Sequence, residues 1–555
     1  MSVHDPASPG PATGTDHDVD SWLFPTLFDE IATRIGDQAA VIEADGSTVT
    51  WSEFVGNSER LAARLSDEGL VRGDGVAVFM RNCSAFLETY VAAFRAGFVP
   101  VNVNYRYGTD ETLHLLADSG ARAVLYHAAF REVIASVRAR TTGVSVWIEV
   151  PDDTDGPTPP WAIDHRGIVS AEAAPGVLDA LAPSGEIPIL LYTGGTTGMP
   201  KGVIWRQRDL FTILISKGNP WRDLPPPESL DHLVRAATTR PGPIDLAACP
   251  FMHATGLFNQ LITLAAGGTS VVVPGTTFDA EVLLSTASRH GATLLVIVGD
   301  SMARPIADAL DRIAGRLELG RLVAIVSSGA TFSKEVKERL LDHLPGISIV
   351  DAFGSSEASG IGINISTIGD VRDTADFVLG PTVRVLTDDG RFLAHGEVGE
   401  GLVALGGALP VGYHNDPDKS ARTFREIDGV RYAFPGDHAR VTVDGTLHLL
   451  GRGSSCINSG GEKVYPEEVE EVVRRHEAVA DAACIGVPDD RFGEAVAAIV
   501  SLRDGATIDL ETLRAHVKGQ LAGYKAPRRL VVVDEVVRSP SGKLDHRWLR
   551  ATAAG

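Results

Sequence analysis

The sequence predicts an α/β protein, with a large N-terminal domain that includes a β-rich subdomain and a small α+β unit at the C-terminus. Three observations predict it. Strand-length apolar runs alternate with helix-spaced segments from Trp22 onward, a rhythm that implies a largely parallel sheet covered by helices on both faces. Between Pro381 and Leu450 the pattern changes to short strands separated by Asp-Gly turns at Asp388-Asp389-Gly390 and Asp444-Gly445. The chain is 555 residues long, too much for one compact core, and a Gly/Ser cluster at Gly451–Ser455 marks a boundary before a last set of strands and helices.

Taken in order, Leu23–Ile35 has helical spacing, and Ala39–Ile42 with Thr48–Thr50 reads as a hairpin around Asp45-Gly46. Trp51–Leu70 reads as a helix, Gly75–Met80 as a buried strand, Ser84–Ala96 as a helix and Pro100–Asn104 as a strand. Helix Thr109–Ser119, strand Ala123–Tyr126, a helix near Ala129–Val137 and strand Gly143–Glu149 continue the alternation. Pro151–Ser184 is rich in Pro, Gly and Asp and reads as a surface connection. Strand-like runs then recur at Leu246–Cys249, Ser270–Val273, Leu294–Val298, Leu322–Ser327 and Ile347–Val350. In the last unit Tyr465-Pro466-Glu467-Glu468 opens a helix, because proline in the first turn loses no needed N–H and the acids favour the positive end of the dipole. Strands at Ala482–Val487, Ala495–Leu502 and Arg529–Val533 and a helix at Leu510–Leu521 complete it. The domains expected are a disordered tail at 1–21, a large domain at 22–452 and a small one at 453–555.

A formal charge of −22 argues against a nucleic-acid or anionic-membrane partner, so an anionic ligand must be met by a local site. Cys83, Cys249, Cys456 and Cys484 lack metal-ligand spacing and read as free thiols in a reducing compartment. The tail has no apolar core of a secretory signal, and no apolar run approaches the roughly 18 residues of a membrane span. A cytoplasmic protein is expected.

The strongest local signal is Leu190-Leu191-Tyr192-Thr193-Gly194-Gly195-Thr196-Thr197-Gly198-Met199-Pro200-Lys201-Gly202. An apolar strand runs into a loop of glycines and threonines that closes on a lysine. Small residues let successive N–H groups converge on phosphate oxygens, hydroxyls add donors, and Lys201 adds charge. The G-x-x-x-x-G-K-[ST] spacing fails, since Lys201 follows Met199-Pro200 and precedes a glycine, so the usual phosphoryl-transfer template does not apply.

This loop resembles the signature of the adenylate-forming superfamily of acyl-CoA synthetases, luciferases and peptide-synthetase adenylation domains. The resemblance implies stacked α/β sheets with a mobile C-terminal domain. It also implies ATP, Mg²⁺ and CoA, with a carboxylate attacking the α-phosphate and pyrophosphate leaving. Asp351-Ala352-Phe353-Gly354-Ser355-Ser356-Glu357 alone reads equally as a turn with an exposed glutamate. Its likeness to the family's aromatic-Gly-x-Thr-Glu motif implies that Asp351, Phe353, Gly354 and Ser356 line the nucleotide and that Glu357 holds Mg²⁺ through a hard oxygen. By the same resemblance Gly329 and Ala330 border adenine and acyl group, Asp437 of Phe434-Pro435-Gly436-Asp437 accepts the ribose hydroxyls, and Arg452 contacts ribose or phosphate.

Lys543 in Ser539-Pro540-Ser541-Gly542-Lys543 alone reads as an exposed lysine after a turn. The resemblance makes it the lysine that enters the site during adenylation, where a compact ammonium stabilises charge on carboxylate and α-phosphate. Ser459, Gly460 and Gly461 resemble the segment that meets the CoA thiol; Ser454 stands where the family often has an aspartate or lysine hinge. His253, in Phe251-Met252-His253-Ala254-Thr255-Gly256, sits in surroundings where a core histidine is the ordinary reading; the resemblance places it beside the carboxylate as a gate or positioning group. The catalytic set expected is thus Thr193, His253, Glu357 and Lys543.

Apolar and small residues around Phe251–Leu261 and Leu294–Met302 suit a hydrophobic acyl pocket. Segments 101–107, 298–305 and 457–468 resemble actinobacterial ligases for sterol side-chain acids, which implies bulky alicyclic, medium-chain or long-chain acids. Three alternatives stay open at this point: an aryl-acid or carrier-protein enzyme, a ligase using a non-thiol nucleophile, and a catalytically inactive nucleotide-binding regulator. A homo-oligomer is also left open.

Overall fold

A computed structural model describes residues 22–154, 156–172, 183–193, 199–216, 218, 225–313, 315–452, 455–459, 462–489, 493–538 and 544–554. Among these, an eight-stranded sheet runs in the order Gly412–Tyr413, Lys201–Arg206, Pro188–Thr193, Val99–Asn102, Gly75–Phe79, Ala121–His127, Val146–Val150, Ile163–Asp164. From Pro188–Thr193 to Ile163–Asp164 the pairing is parallel, whereas the first three strands pair antiparallel. Gly75–Phe79 is buried along its whole length, as a strand covered on both faces must be. The apolar runs of the sequence follow from that burial.

A second sheet starts with the hairpin Thr48–Thr50/Ala39–Ile42 and continues in parallel through Thr269–Val271, Ile244–Ala247, Leu294–Ile297, Ala324–Ser328 and Ser348–Phe353. It then turns antiparallel at Gly362–Ser366 and Asp376–Leu379 and passes into Thr446–Arg452, Asp437–Val441 and Gly399–Leu405. The β-rich stretch is therefore hydrogen-bonded onto the α/β sheet. Helix Trp51–Asp67 begins at a capping box, with Thr50 Oγ1 accepting from Glu53 N–H at 3.2 Å and Glu53 Oε2 accepting from Thr50 N–H at 2.8 Å. Its Trp51 and Phe54 join Phe24, Phe28, Phe94 and Phe211 in one aromatic core.

The C-terminal residues form their own sheet, in which Val479–Asp489 pairs antiparallel with Gly493–Leu502 and Arg529–Val533 adds in parallel. Alternation of side chains gives it two buried faces. Ala482, Cys484, Val496 and Val500 pack with Val469 and Val473 of helix Pro466–Arg474, while Ala483, Ala497 and Ile499 pack with Leu549 and Ala553 of helix His546–Ala554. No helix among the described residues is long and apolar enough to cross a membrane.

Helix Ala254–Ala265 is fastened to strand Ile244–Ala247 by a fully buried carboxylate. Asp245 Oδ2 accepts from Gln260 Nε2 and from Thr263 Oγ1, both at 2.9 Å. Burial pushes the Asp245 pKa up to about 7, and the two hydrogen bonds only partly oppose the rise. The folded protein therefore keeps a proton that the unfolded chain releases above about pH 4. The stability this group contributes is whole below that pH and is lost as the pH rises through 7. Asp245→Asn keeps an acceptor and cannot ionise. In urea unfolding followed from pH 5 to 7, this variant is expected to lose less stability than the parent, by up to about 1.4 kcal/mol per pH unit.

Candidate active site

Strands Pro188–Thr193 and Lys201–Arg206 are an antiparallel pair in which Thr193 and Lys201 are direct partners, so the strand ends hold the two sides of the glycine-threonine loop together. Gly194, Gly195, Thr196, Thr197 and Gly198 lie outside the described residues. The Lys201 ammonium pairs with Asp416, which also accepts from Lys419 N–H at 2.9 Å as the N-cap of helix Pro417–Thr423. The hydrogen bond from Lys201 comes first among the causes that hold the Asp416 carboxyl below its ordinary pKa.

Strand Ser348–Phe353 ends in a tight turn closed by Ser355 N–H on the Ala358 carbonyl at 2.9 Å. Glycine suits 354, since a Cβ there would lie 3.0 Å from the Ala358 carbonyl oxygen and 3.2 Å from the Gly360 nitrogen, tight enough that the turn would have to give by a few tenths of an ångström. The turn presents Glu357, whose Oε1 accepts from the Tyr413 hydroxyl at 2.5 Å. The Lys419 Nζ sits 3.8 Å from the centre of the Tyr413 ring. Burial lowers the Lys419 pKa; Glu357 opposes that shift and Lys201 adds to it, so Glu357, Lys201 and Lys419 share one electrostatic neighbourhood. Behind the turn, Trp205 Nε1 donates to the Ser356 carbonyl at 2.9 Å. Phe353 is half-buried against Phe377, with ring centres 5.2 Å apart.

Asp351 pairs across the sheet with Ser327, next to Ser328, Gly329 and Ala330. Its carboxylate is turned into the interior, where Lys337 Nζ donates to it at 3.2 Å, and burial pushes its pKa up to about 6 against the pull of that ammonium. A sequence reading of Asp351 as a nucleotide contact did not anticipate this ion pair. Ser327 Oγ in turn accepts from Gly299 N–H at 2.9 Å, which fixes the start of helix Gly299–Ile313 beside Gly329 and Ala330.

Asn102 was not singled out as a site residue from sequence, yet it ties three segments together. Its Nδ2 donates to the Tyr192 carbonyl at 3.0 Å and to the Met252 carbonyl at 2.6 Å, and its Oδ1 accepts from Tyr192 N–H at 2.5 Å. One buried amide thus fixes the strand that leads into the glycine-threonine loop and the residue before His253. His253 itself is half-buried and extended, at φ −107° and ψ 147°, and leads into helix Ala254–Ala265. The far end of this helix lines an apolar cleft with Leu214, Ile215 and Leu233, to which it contributes Ile262, Ala265 and Ala266.

Asp437 is buried and lies opposite Arg452 across strands Asp437–Val441 and Thr446–Arg452. Ser459 is buried in strand Ile457–Ser459, paired with Gly493. Ser454, Gly460, Gly461 and Lys543 lie outside the described residues. The residues missed from sequence are Asn102, Trp205, Tyr413, Asp416 and Lys419. The one local signal for the last three is Tyr413-His414-Asn415-Asp416-Pro417, an aromatic followed by an Asp cap and a proline at the first helical position. Among the described residues no group of three or more His, Cys, Asp or Glu could cage a metal ion. A lone carboxylate oxygen beside phosphate-binding groups suits Mg²⁺, which takes one or two carboxylates and fills its octahedron with phosphate and water. Glu357 fits that requirement.

Two family models match the chain: AMP-binding enzyme over residues 28–414, and AMP-binding enzyme C-terminal domain over residues 468–543. The chain is 38% identical over 553 residues to the medium-chain acyl-CoA ligase Mig of Mycobacterium avium, covering 96% of this chain and 98% of that protein. It is 37% identical over 535 residues to a 3-oxocholest-4-en-26-oate–CoA ligase of Rhodococcus rhodochrous, covering 94% of both. The fold matches the ATP-bound structure of MatB from Rhodopseudomonas palustris with a TM-score of 0.77 and 26% identity, over 95% of this chain and 98% of that one.

Asn102→Ala leaves three buried backbone groups without their partner. It is expected to cost about 2–4 kcal/mol in denaturant unfolding. Asn102→Asp, which keeps the acceptor but loses both donors, is expected to be no milder.

Proposed function

The chain belongs to the AMP-binding enzyme family, and from that membership we propose that it is an ATP-dependent, AMP-forming acyl-CoA ligase for a hydrophobic carboxylic acid. The observation that carries this reading is the convergence of Lys201, Glu357, Tyr413 and Lys419 beside the phosphate-loop strands. In the first half-reaction a substrate carboxylate oxygen bonds to the α-phosphorus of ATP and the bond to pyrophosphate breaks. In the second, the CoA sulfur bonds to the acyl carbonyl carbon and AMP leaves.

No side-chain nucleophile is needed; positioning and charge stabilisation carry the chemistry. The loop from Thr193 to Lys201 cradles phosphate, with Lys201 released from Asp416 onto an incoming anion. Glu357 would hold Mg²⁺, which would supply neutralising charge to phosphate oxygens. Gly329, Ala330, Phe353, Gly354 and Ser356 border the adenine, and Asp437 and Arg452 take the ribose side. His253 orients the carboxylate, and Lys543 balances charge between carboxylate and α-phosphate. Ser459, Gly460 and Gly461 meet the CoA thiol, within a unit at 453–555 that moves against 22–452 between the two steps.

Medium-chain and sterol side-chain acids are the substrates this reading favours. The named substrates of the relatives in Mycobacterium avium and Rhodococcus rhodochrous support it. With ATP and reduced CoA as co-substrates and the free thiols Cys83, Cys249, Cys456 and Cys484, the reading places the protein in the cytoplasm.

The test is pyrophosphate release and acyl-CoA formation over a panel of fatty, sterol side-chain and aryl acids, with and without CoA. Mg²⁺-dependent turnover is expected, fastest on the apolar aliphatic and alicyclic acids. Lys543→Ala is expected to slow adenylation by about 100-fold or more while a supplied acyl-adenylate is still converted to thioester. Equal loss in both half-reactions would remove Lys543 from its assigned role.

A further inference from the structure

Trp205 lies in strand Lys201–Arg206 and is fully buried. An indole offers one hydrogen-bond donor and no acceptor, so when it is buried its N–H must find an oxygen. The oxygen it meets is the carbonyl of Ser356, 151 residues away in sequence and one residue before Glu357. That turn is otherwise closed on itself, by Ser355 N–H on the Ala358 carbonyl at 2.9 Å, Ala358 N–H on the Ser355 carbonyl at 3.2 Å and Glu357 N–H on Ser355 Oγ at 3.3 Å. The indole contact fixes the turn from outside.

The register shows why one strand does this work. Side chains alternate along a strand, so Lys201, Val203 and Trp205 share one face of the sheet. Tyr413 is the direct partner of Val203 on the neighbouring strand and shares that face. The same rigid strand pair thus supplies Lys201, the indole N–H on the Ser356 carbonyl and the phenol O–H on the Glu357 carboxylate. We propose that Trp205 is a positioning residue for Glu357, setting the direction of its carboxylate relative to Lys201 and so how tightly the site would hold a divalent cation. The proposal rests on the reading of Glu357 as the Mg²⁺ ligand. It adds that the ligand is aimed by a hydrogen bond to its backbone from the lysine's own strand.

A purely structural tryptophan would fill the same volume, and the test removes the N–H alone. Trp205 is replaced by benzothienylalanine, which keeps the bicyclic shape and puts sulfur where the N–H was; Trp205→Phe serves as the genetically simpler companion. Pyrophosphate release is measured against free Mg²⁺ at fixed ATP and acid, and thermal unfolding is recorded alongside. The Mg²⁺ concentration for half-maximal rate is expected to rise about tenfold in the benzothienylalanine protein, with a much smaller change in the rate at saturating Mg²⁺. A Mg²⁺-dependent parent whose midpoint is unmoved in the benzothienylalanine protein overturns this proposal alone, and a lowered unfolding temperature with that same midpoint assigns Trp205 to packing. A parent whose pyrophosphate release is indifferent to Mg²⁺ overturns the reading of Glu357, and the proposal with it.

Discussion

The antiparallel pairing of Pro188–Thr193 with Lys201–Arg206 is the constraint on which the site depends. On one side Pro188–Thr193 joins the parallel strands through Val99–Asn102, and on the other Lys201–Arg206 accepts Gly412–Tyr413. A one-residue slip in these strands would exchange the side chains of the two buried faces and unseat the packing on both. The two strand ends that flank the glycine-threonine loop, Thr193 and Lys201, inherit that fixed register. Lys201, the phenol of Tyr413 and the indole of Trp205 are therefore placed by the same hydrogen-bond ladder that holds the core.

Among the described residues, specific polar side chains join the second sheet to this one. Asn102 ties the loop strand to the chain before His253, and Trp205 ties the lysine strand to the chain before Glu357. Buried polar groups without partners cost more than paired ones gain, so each such contact selects strongly against alternative packings. Asp351 and Lys337 show the same logic with charge. Their ion pair is buried on both sides, and losing either partner would strand a charge in the interior. It stiffens the end of the strand from which the Glu357 turn departs.

Much of this was legible in sequence where the signal is local. Helices Ser84–Ala96 and Thr109–Ser119 and strand Arg529–Val533 have the bounds that apolar spacing predicts. Lys201 stood out through its glycine-rich context, whereas Glu357 was raised above an ordinary exposed turn only by the family resemblance. The hairpin at Ala39–Ile42 and Thr48–Thr50 was readable, but not its place in the second sheet, because its partner is Ser270–Val271, more than 200 residues on. Tyr413 and Asp416, marked locally only by an Asp cap before a proline, and Trp205 gave no sign of their partners for the same reason. Their roles lie in contacts spanning 56, 215 and 151 residues, and a tyrosine or tryptophan in a strand looks like core until its polar atom is seen to have a target.

The small C-terminal unit is held to the body differently. At its root the contact is steric: Gly451 has φ +132°, and a Cβ there would lie 2.2 Å from Glu467 Oε2 in the unit's first helix. A side chain at 451 would have to displace the Glu467 carboxylate, so glycine is what lets that carboxylate close over the strand end. Farther out, Arg503 reaches Glu335 of the body at 3.0 Å, with both side chains nearly half exposed. An exposed ion pair of this kind contributes about 1 kcal/mol or less. The unit is thus seated closely where it joins the body, at Gly451, while this ion pair farther out is cheap to break, which is what the proposed two-step reaction, with one unit presenting different faces to a single site, would need.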